Sequence, residues 1–108
     1  MINVGLYYNI KKGHEKEFEE TFKKVVDYLK TSVKGFEKAD IYRKVSTDES
    51  LTEYMIYSEW QDADSFREFT RGKAFRETTD YGKSIIEGRP YHRIFTTINE
   101  KTTSEGGR

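Results

Sequence analysis

The sequence contains no cysteine, which removes disulfides, thiolate metal sites and cysteine nucleophiles together. A reducing compartment, the cytoplasm, is the expected location. Apolar runs stop at three or four residues and the start, MINVGLYYNIKK, is polar, so neither a membrane span nor a signal peptide is expected. An excess of one charge is also missing, with 19 Lys plus Arg against 19 Asp plus Glu. Nothing here calls for nucleic acid or an anionic membrane as partner. Amides and thioethers are scarce, one Gln, three Asn and two Met, while Lys and Glu abound, a bias toward a heat-adapted source.

Histidine occurs only at His14 and His92, with no HxH, HxxxH or HExxH spacing, so no metal site is expected. GxSxG, P-loop and GxGxxG motifs are absent as well. The expected cofactor is none. What the chain does have is aromatics: eight Tyr, seven Phe and one Trp among 108 residues that are 34% hydrophobic and 35% charged. Disordered chains are poor in aromatics, so these rings are expected to build the core of one domain over residues 1–98.

Ile2 to Ile10 alternates, with Ile2, Val4, Leu6, Tyr8 and Ile10 on one side, and reads as a strand with one buried face. Beyond Gly13 the period lengthens: Phe18, Phe22, Val25, Val26, Leu29 and Val33 form one helical stripe, acidic at its start and basic toward its end. Gly35 stands where a left-handed residue ends such a helix. Phe36 to Val45 and Leu51 to Trp60 read as a hairpin turned at residues 46–50. Asp62 or Asp64 can cap a second helix carrying Phe66, Phe69 and Phe75, with a break at Gly72. After Gly88 and Pro90, Tyr91 to Ile98 reads as a last strand, and residues 99–108 as a flexible tail.

This order, β-α-β-β-α-β, predicts an α+β, ferredoxin-like domain: a four-stranded antiparallel sheet with helices on one face. RNA-recognition domains share the order, but their third strand carries a glycine and aromatic signature where this chain has LTEYMIYSEW. The uncovered face would show Tyr7, Met55, Tyr57, Tyr91 and Phe95, an apolar set that favours pairing with a second copy. A homodimer is therefore expected.

Lys12-Gly13-His14-Glu15 with Phe18, Gly35-Phe36, Glu59-Trp60, the run Trp60, Phe66, Phe69, Phe75, and Gly88-Arg89-Pro90 together resemble the antibiotic biosynthesis monooxygenase (ABM) family of dimeric α/β barrels, over about residues 2–98. The resemblance implies a dimeric barrel and a monooxygenase-like oxidation of an aromatic or quinone-like small molecule without a cofactor. The haem-degrading branch uses an Asn, a Trp and a His, at positions that fall on Leu6, Phe69 and Thr79 here. The phenol-oxidising branch uses an Asn, a Trp and a Tyr, at positions that fall on Ser65, Phe69 and Phe75. Neither residue set is present. The resemblance therefore implies a fold more strongly than a chemistry, and a non-catalytic ligand-binding or structural dimer is the alternative.

His92 shares its side of the last strand with Ile94 and Thr96, so its imidazole would face an apolar environment, where a general base works well. It is the candidate catalytic residue. Tyr8, Tyr54, Trp60, Phe66, Phe69 and Phe75 are the candidate substrate-binding residues, aromatic walls for a flat ligand with Tyr8 or Tyr54 as orienting hydroxyls. Arg43 and Arg93 are expected to pair across strands with Glu53 or Glu59. His14, beside Glu15 and Lys16, is expected at the surface.

Overall fold

The structure is a computed structural model, and it describes residues 1–45 and 50–98. Most of the expected hairpin turn and the whole expected tail lie outside the described residues. Within them the elements run β1 (Ile2–Lys11), α1 (Glu15–Ser32), β2 (Phe36–Arg43), β3 (Leu51–Trp60), α2 (Ala63–Arg71), α3 (Lys73–Gly82) and β4 (Tyr91–Thr96). The sheet is antiparallel throughout, in the order β2-β3-β1-β4. This is the ferredoxin-like arrangement that the alternation predicted.

Local chemistry explains the boundaries. Gly35, at φ +90°, lets the chain leave α1 in a left-handed turn, and a Cβ there would stand 2.1 Å from the Ser65 hydroxyl oxygen. Glycine is therefore required twice over, by its backbone angle and by the close approach of α2. Asp62 is the cap of α2, its carboxylate accepting from the Ser65 N–H at 2.8 Å. Gly72 is extended and divides the expected second helix into α2 and α3. β2 and β4 each stop two residues short of the expected ends, at Arg43 and Thr96.

Side-chain alternation sorts the sheet into two faces. Ile2, Val4, Tyr54 and Trp60 turn to the helices, where two clusters of buried residues form. One centres on Trp60, 2% exposed, with Phe36, Phe66 and Phe69 rings at 5.3–5.7 Å. The other joins Ile10, Phe18, Tyr54 and Ile85. Opposite, the register puts Tyr7 beside Tyr91 and Met55, and Asn3 beside Phe95 and Glu59. All five residues expected on the uncovered face are there.

Two expected ion pairs do not form. Arg43 lies opposite Tyr54 on the helix-covered face and pairs with Glu19 of α1, not with Glu53 or Glu59. Arg93 is opposite Gly5 on the uncovered face and lies over the rings of Tyr7 and Tyr91, 6.0 and 5.6 Å from their centres. In both cases the strand's face decides the partner.

Candidate functional site

Between sheet and helices lies a cavity of about 410 Å³, touched by both core clusters. Its floor comes from the sheet. Leu6 pairs with His92 on one side and Ile56 on the other, so the imidazole opens onto the floor from β4. One wall is α1, through Phe22, Val25 and Val26, and another is α2 with α3, where Phe69 and Phe75 meet edge to face at 5.4 Å across Gly72. The segment from Ile85 to Pro90 closes one end; Ile86 is held there by a bridge to Ile10.

Of the predicted site residues, the fold brings Tyr8, Trp60, Phe66, Phe69, Phe75 and His92 to this cavity. Tyr54 is not among the lining. Its ring is 2% exposed and packs on Phe18 at 4.7 Å, while its hydroxyl donates to Glu19, which also takes Arg43. Burial, then that hydrogen bond, pushes the Tyr54 pKa up to about 12. Tyr54 ties α1 to the sheet and leaves no free hydroxyl for a ligand. His14 is half-buried, not fully exposed, and contacts Glu17 at 3.1 Å.

Nearly every polar group in the lining is already used. The Trp60 indole N–H donates to the Ser58 hydroxyl at 3.0 Å, which donates on to the Val4 carbonyl. Thr78 and Thr79 each donate to a carbonyl one turn back, Ala74 and Phe75, at 2.9 Å. Tyr81 donates to Glu17. Among the described residues, Tyr8, Arg89 and His92 line the cavity without a side-chain hydrogen bond or ion pair; Arg89 and His92 are exposed at its rim, on an edge strand open to solvent, so the apolar setting expected for the imidazole reduces to the edge of Phe66 at 5.5 Å. Burial raises the Tyr8 pKa. Such a site, apolar with a few unspent polar groups, suits a flat ligand with polar substituents.

Arg89 is the residue that motif reasoning passed over. Its signal is local: Gly88 at φ +75° and Pro90 set the backbone course just before the strand that carries His92, which brings Arg89 to the cavity's exposed rim. Leu6 and Thr79, two of the three positions where the haem-degrading residues are replaced, also line the cavity, beside the third, Phe69. Among the described residues no group of three or more His, Asp or Glu side chains is placed to hold a metal, and no helix is long and apolar enough to cross a membrane.

A fold of this type with an apolar cavity under its helices defines a class of small α+β domains. The sequence pattern described as antibiotic biosynthesis monooxygenase matches residues 1–81, and the chain belongs to that family. The match ends within α3, so Arg89 and His92 lie beyond it. A protein of Natronomonas pharaonis, provisionally named heme-binding, is 32% identical over 89 residues; the alignment covers 82% of this chain and 14% of that protein. The chain thus spans about a seventh of that relative's length. Among solved structures, a provisionally named antibiotic biosynthesis monooxygenase of Deinococcus radiodurans superposes with a TM-score of 0.78 at 9% identity, covering 98% of this chain and all of the other. SnoaB of Streptomyces nogalater, a cofactor-independent oxygenase, superposes with a TM-score of 0.67 at 19% identity, covering 96% and 98%. At such identities the two structures speak for the fold alone.

Proposed function

We propose that this chain is a homodimeric, cofactor-independent oxygenase of a flat phenolic or quinone-like molecule. The observation that carries this reading is the cavity: about 410 Å³ of aromatic and aliphatic wall with three unspent polar side chains, Tyr8, Arg89 and His92. In the proposed reaction the His92 imidazole takes the substrate's proton, and the Arg89 guanidinium favours the resulting anion. Phe66, Phe69, Phe75 and Trp60 hold the rings and keep water out. Dioxygen then oxidises the anion directly. For an anthrone-type methylene, one oxygen atom becomes the new carbonyl, and the other leaves as water with the two methylene hydrogens.

Oxygen uptake with a panel of hydroquinones and anthrones tests the reading. A working base contributes about 10²–10⁴-fold, so His92→Ala is expected to lose at least about 100-fold in rate. Equal rates in both proteins would remove His92 from the mechanism.

A second reading, binding without turnover, is favoured by Leu6, Phe69 and Thr79, which replace the haem-degrading residues within the cavity itself. Saturable thermal stabilisation by phenols with no oxygen uptake would decide for it. The lining fits haem poorly. Thr79 spends its hydroxyl on the Phe75 carbonyl, and His92 is the one imidazole among the cavity's described residues. Tight haem binding is not expected, and a Soret shift that disappears in His92→Ala would overturn this.

A further inference from the structure

We infer that the Tyr8 hydroxyl is a hydrogen-bond donor kept for an acceptor oxygen of the bound ring system, a quinone or ketone carbonyl, which makes Tyr8 a specificity-determining residue. The inference rests on reading the cavity as an aromatic site. It follows from a contrast among the hydroxyls that line the cavity: Ser58 on the sheet and Thr78, Thr79 and Tyr81 on α3 each donate to a protein acceptor, whereas Tyr8 has no partner among the described residues. Its ring is fixed against Phe18 at 5.4 Å and is only half-buried although it belongs to the helix-covered face, because the cavity opens beside it.

Burial raises the Tyr8 pKa, so at neutral pH the group keeps its proton and offers it. A water molecule would be a poor recipient. Ordered buried waters hold two to four polar partners, and Tyr8 packs against the cluster of Ile10, Phe18, Tyr54 and Ile85, whose one hydroxyl is taken by Glu19. A carbonyl oxygen needs only the one donor, since the ring that carries it supplies apolar contact on every other side. Position supports this. His92 pairs with Leu6, two residues from Tyr8 along β1, which puts the two backbones roughly 8 Å apart at ordinary strand spacings. A ring system lying between them meets a neutral donor at one end and a base at the other.

The test compares menadione with 2-methylnaphthalene, the same skeleton with and without carbonyl oxygens, by calorimetric titration of the full chain. With no cysteine present, the quinone has no thiol to alkylate. The unmodified protein is expected to bind menadione more tightly. Tyr8→Phe is expected to weaken menadione about tenfold, or ~1.4 kcal/mol, and to leave 2-methylnaphthalene unchanged. Thr79→Val, which removes a hydroxyl already spent, is expected to preserve the preference. The thermal midpoint of Tyr8→Phe should not fall, because no protein hydrogen bond is lost. Equal losses for both ligands, or no loss, would overturn the role of Tyr8 while leaving the aromatic site standing. If the unmodified protein bound neither compound, the aromatic reading would fall and the inference with it.

Discussion

The two faces of the sheet are both rich in aromatic rings, yet they treat them differently. On the helix side Trp60, Phe66, Phe69 and Phe75 meet one another, with Trp60 buried to 2% and its N–H satisfied inside. On the other side Tyr91 and Phe95 stay about half exposed, and the rings are dressed with polar groups. Tyr57 donates to Glu59 at 2.8 Å and accepts from the Asn3 amide at 2.6 Å, which in turn accepts from Thr97. Tyr7 and Tyr91 stack at 4.8 Å beneath Arg93. The covered face is built around a cavity. The uncovered one is an amphipathic surface whose rings are held by stacking and hydrogen bonds.

The largest expected effect tests the covered face. Trp60→Ala removes the ring shared by Phe36, Phe66 and Phe69 and is expected to cost about 3–5 kcal/mol of folding stability. Urea unfolding should show this loss at every protein concentration. Phe95→Ala on the opposite face should instead show a cost that changes with concentration, since its ring gains burial only through a partner. Equal, concentration-independent costs would erase the distinction between the faces.

The second prediction asks whether the exposed face is an interface. Tyr57→Glu places a carboxylate beside Glu59 in the middle of the proposed dimer seam, where an unpaired charge is expected to cost about 3–5 kcal/mol. Light scattering should move from about twice the 12.8 kDa chain mass to the single chain. A 12.8 kDa species for the unmodified protein at micromolar concentration would refute the dimer outright.

How far the sequence was legible follows the same division. Alternation in β1 and β3 and the step of three and four in α1 placed the sheet and both faces, because those periods are set by backbone geometry alone. The placement of Trp60, Phe66, Phe69 and Phe75 on the helix-covered side was legible because large aromatics have few other places to go. Tyr54 went astray for a reason no period contains. It points to the same face as Tyr8, yet Glu19 and Arg43, from two other elements, claim its hydroxyl and seal it in. Arg43 and Arg93 were misassigned likewise, since an arginine's partner depends on which layer its strand face meets. The sequence pointed to Tyr8 and His92 but not to Arg89, and it had no means of separating Tyr8 from Tyr54 or Tyr81, because what distinguishes them is whether the hydroxyl has a partner among the described residues.

A third, smaller effect concerns the seam between α1 and the sheet. The Tyr54 hydroxyl, then the Arg43 guanidinium, holds the Glu19 carboxyl below the ordinary carboxylate range. A carboxyl depressed in the folded state stabilises it above the ordinary value of 4.5, and that contribution is lost as pH falls through the lower folded value. Tyr54 has the opposite sign: its raised pKa stabilises below 10 and is lost as pH rises toward about 12. Glu19→Gln should flatten the acid limb of the thermal midpoint profile and cost about 1 kcal/mol at neutral pH, a charge-assisted bond discounted for partial exposure. An unchanged acid limb would mean that the tether carries no stability.

The smallest effect decides whether the exposed tyrosines are held or merely adjacent. Arg93 lies 5.6 Å from the Tyr91 ring centre and 6.0 Å from that of Tyr7, over a stack formed by neighbouring strands. Exposed cation–π contacts are worth about 0.5–1 kcal/mol, so Arg93→Ala alone would give a small loss that several mechanisms share. A double-mutant cycle with Tyr91→Phe and Tyr91→Ala separates them. The phenyl ring of the Phe variant keeps an aromatic face for the guanidinium, so its coupling to Arg93 should nearly vanish. The Ala variant removes that face and should couple by about 0.5 kcal/mol. Because the same rings lie in the proposed seam, the Ala cycle should also appear in the dimer dissociation constant, as roughly a twofold change. Zero coupling in both measurements would mean that Arg93 sits over the Tyr91 ring without holding it, and the uncovered face would then owe its order to the Tyr7–Tyr91 stack and to the hydrogen bonds that link Tyr57, Glu59, Asn3 and Thr97.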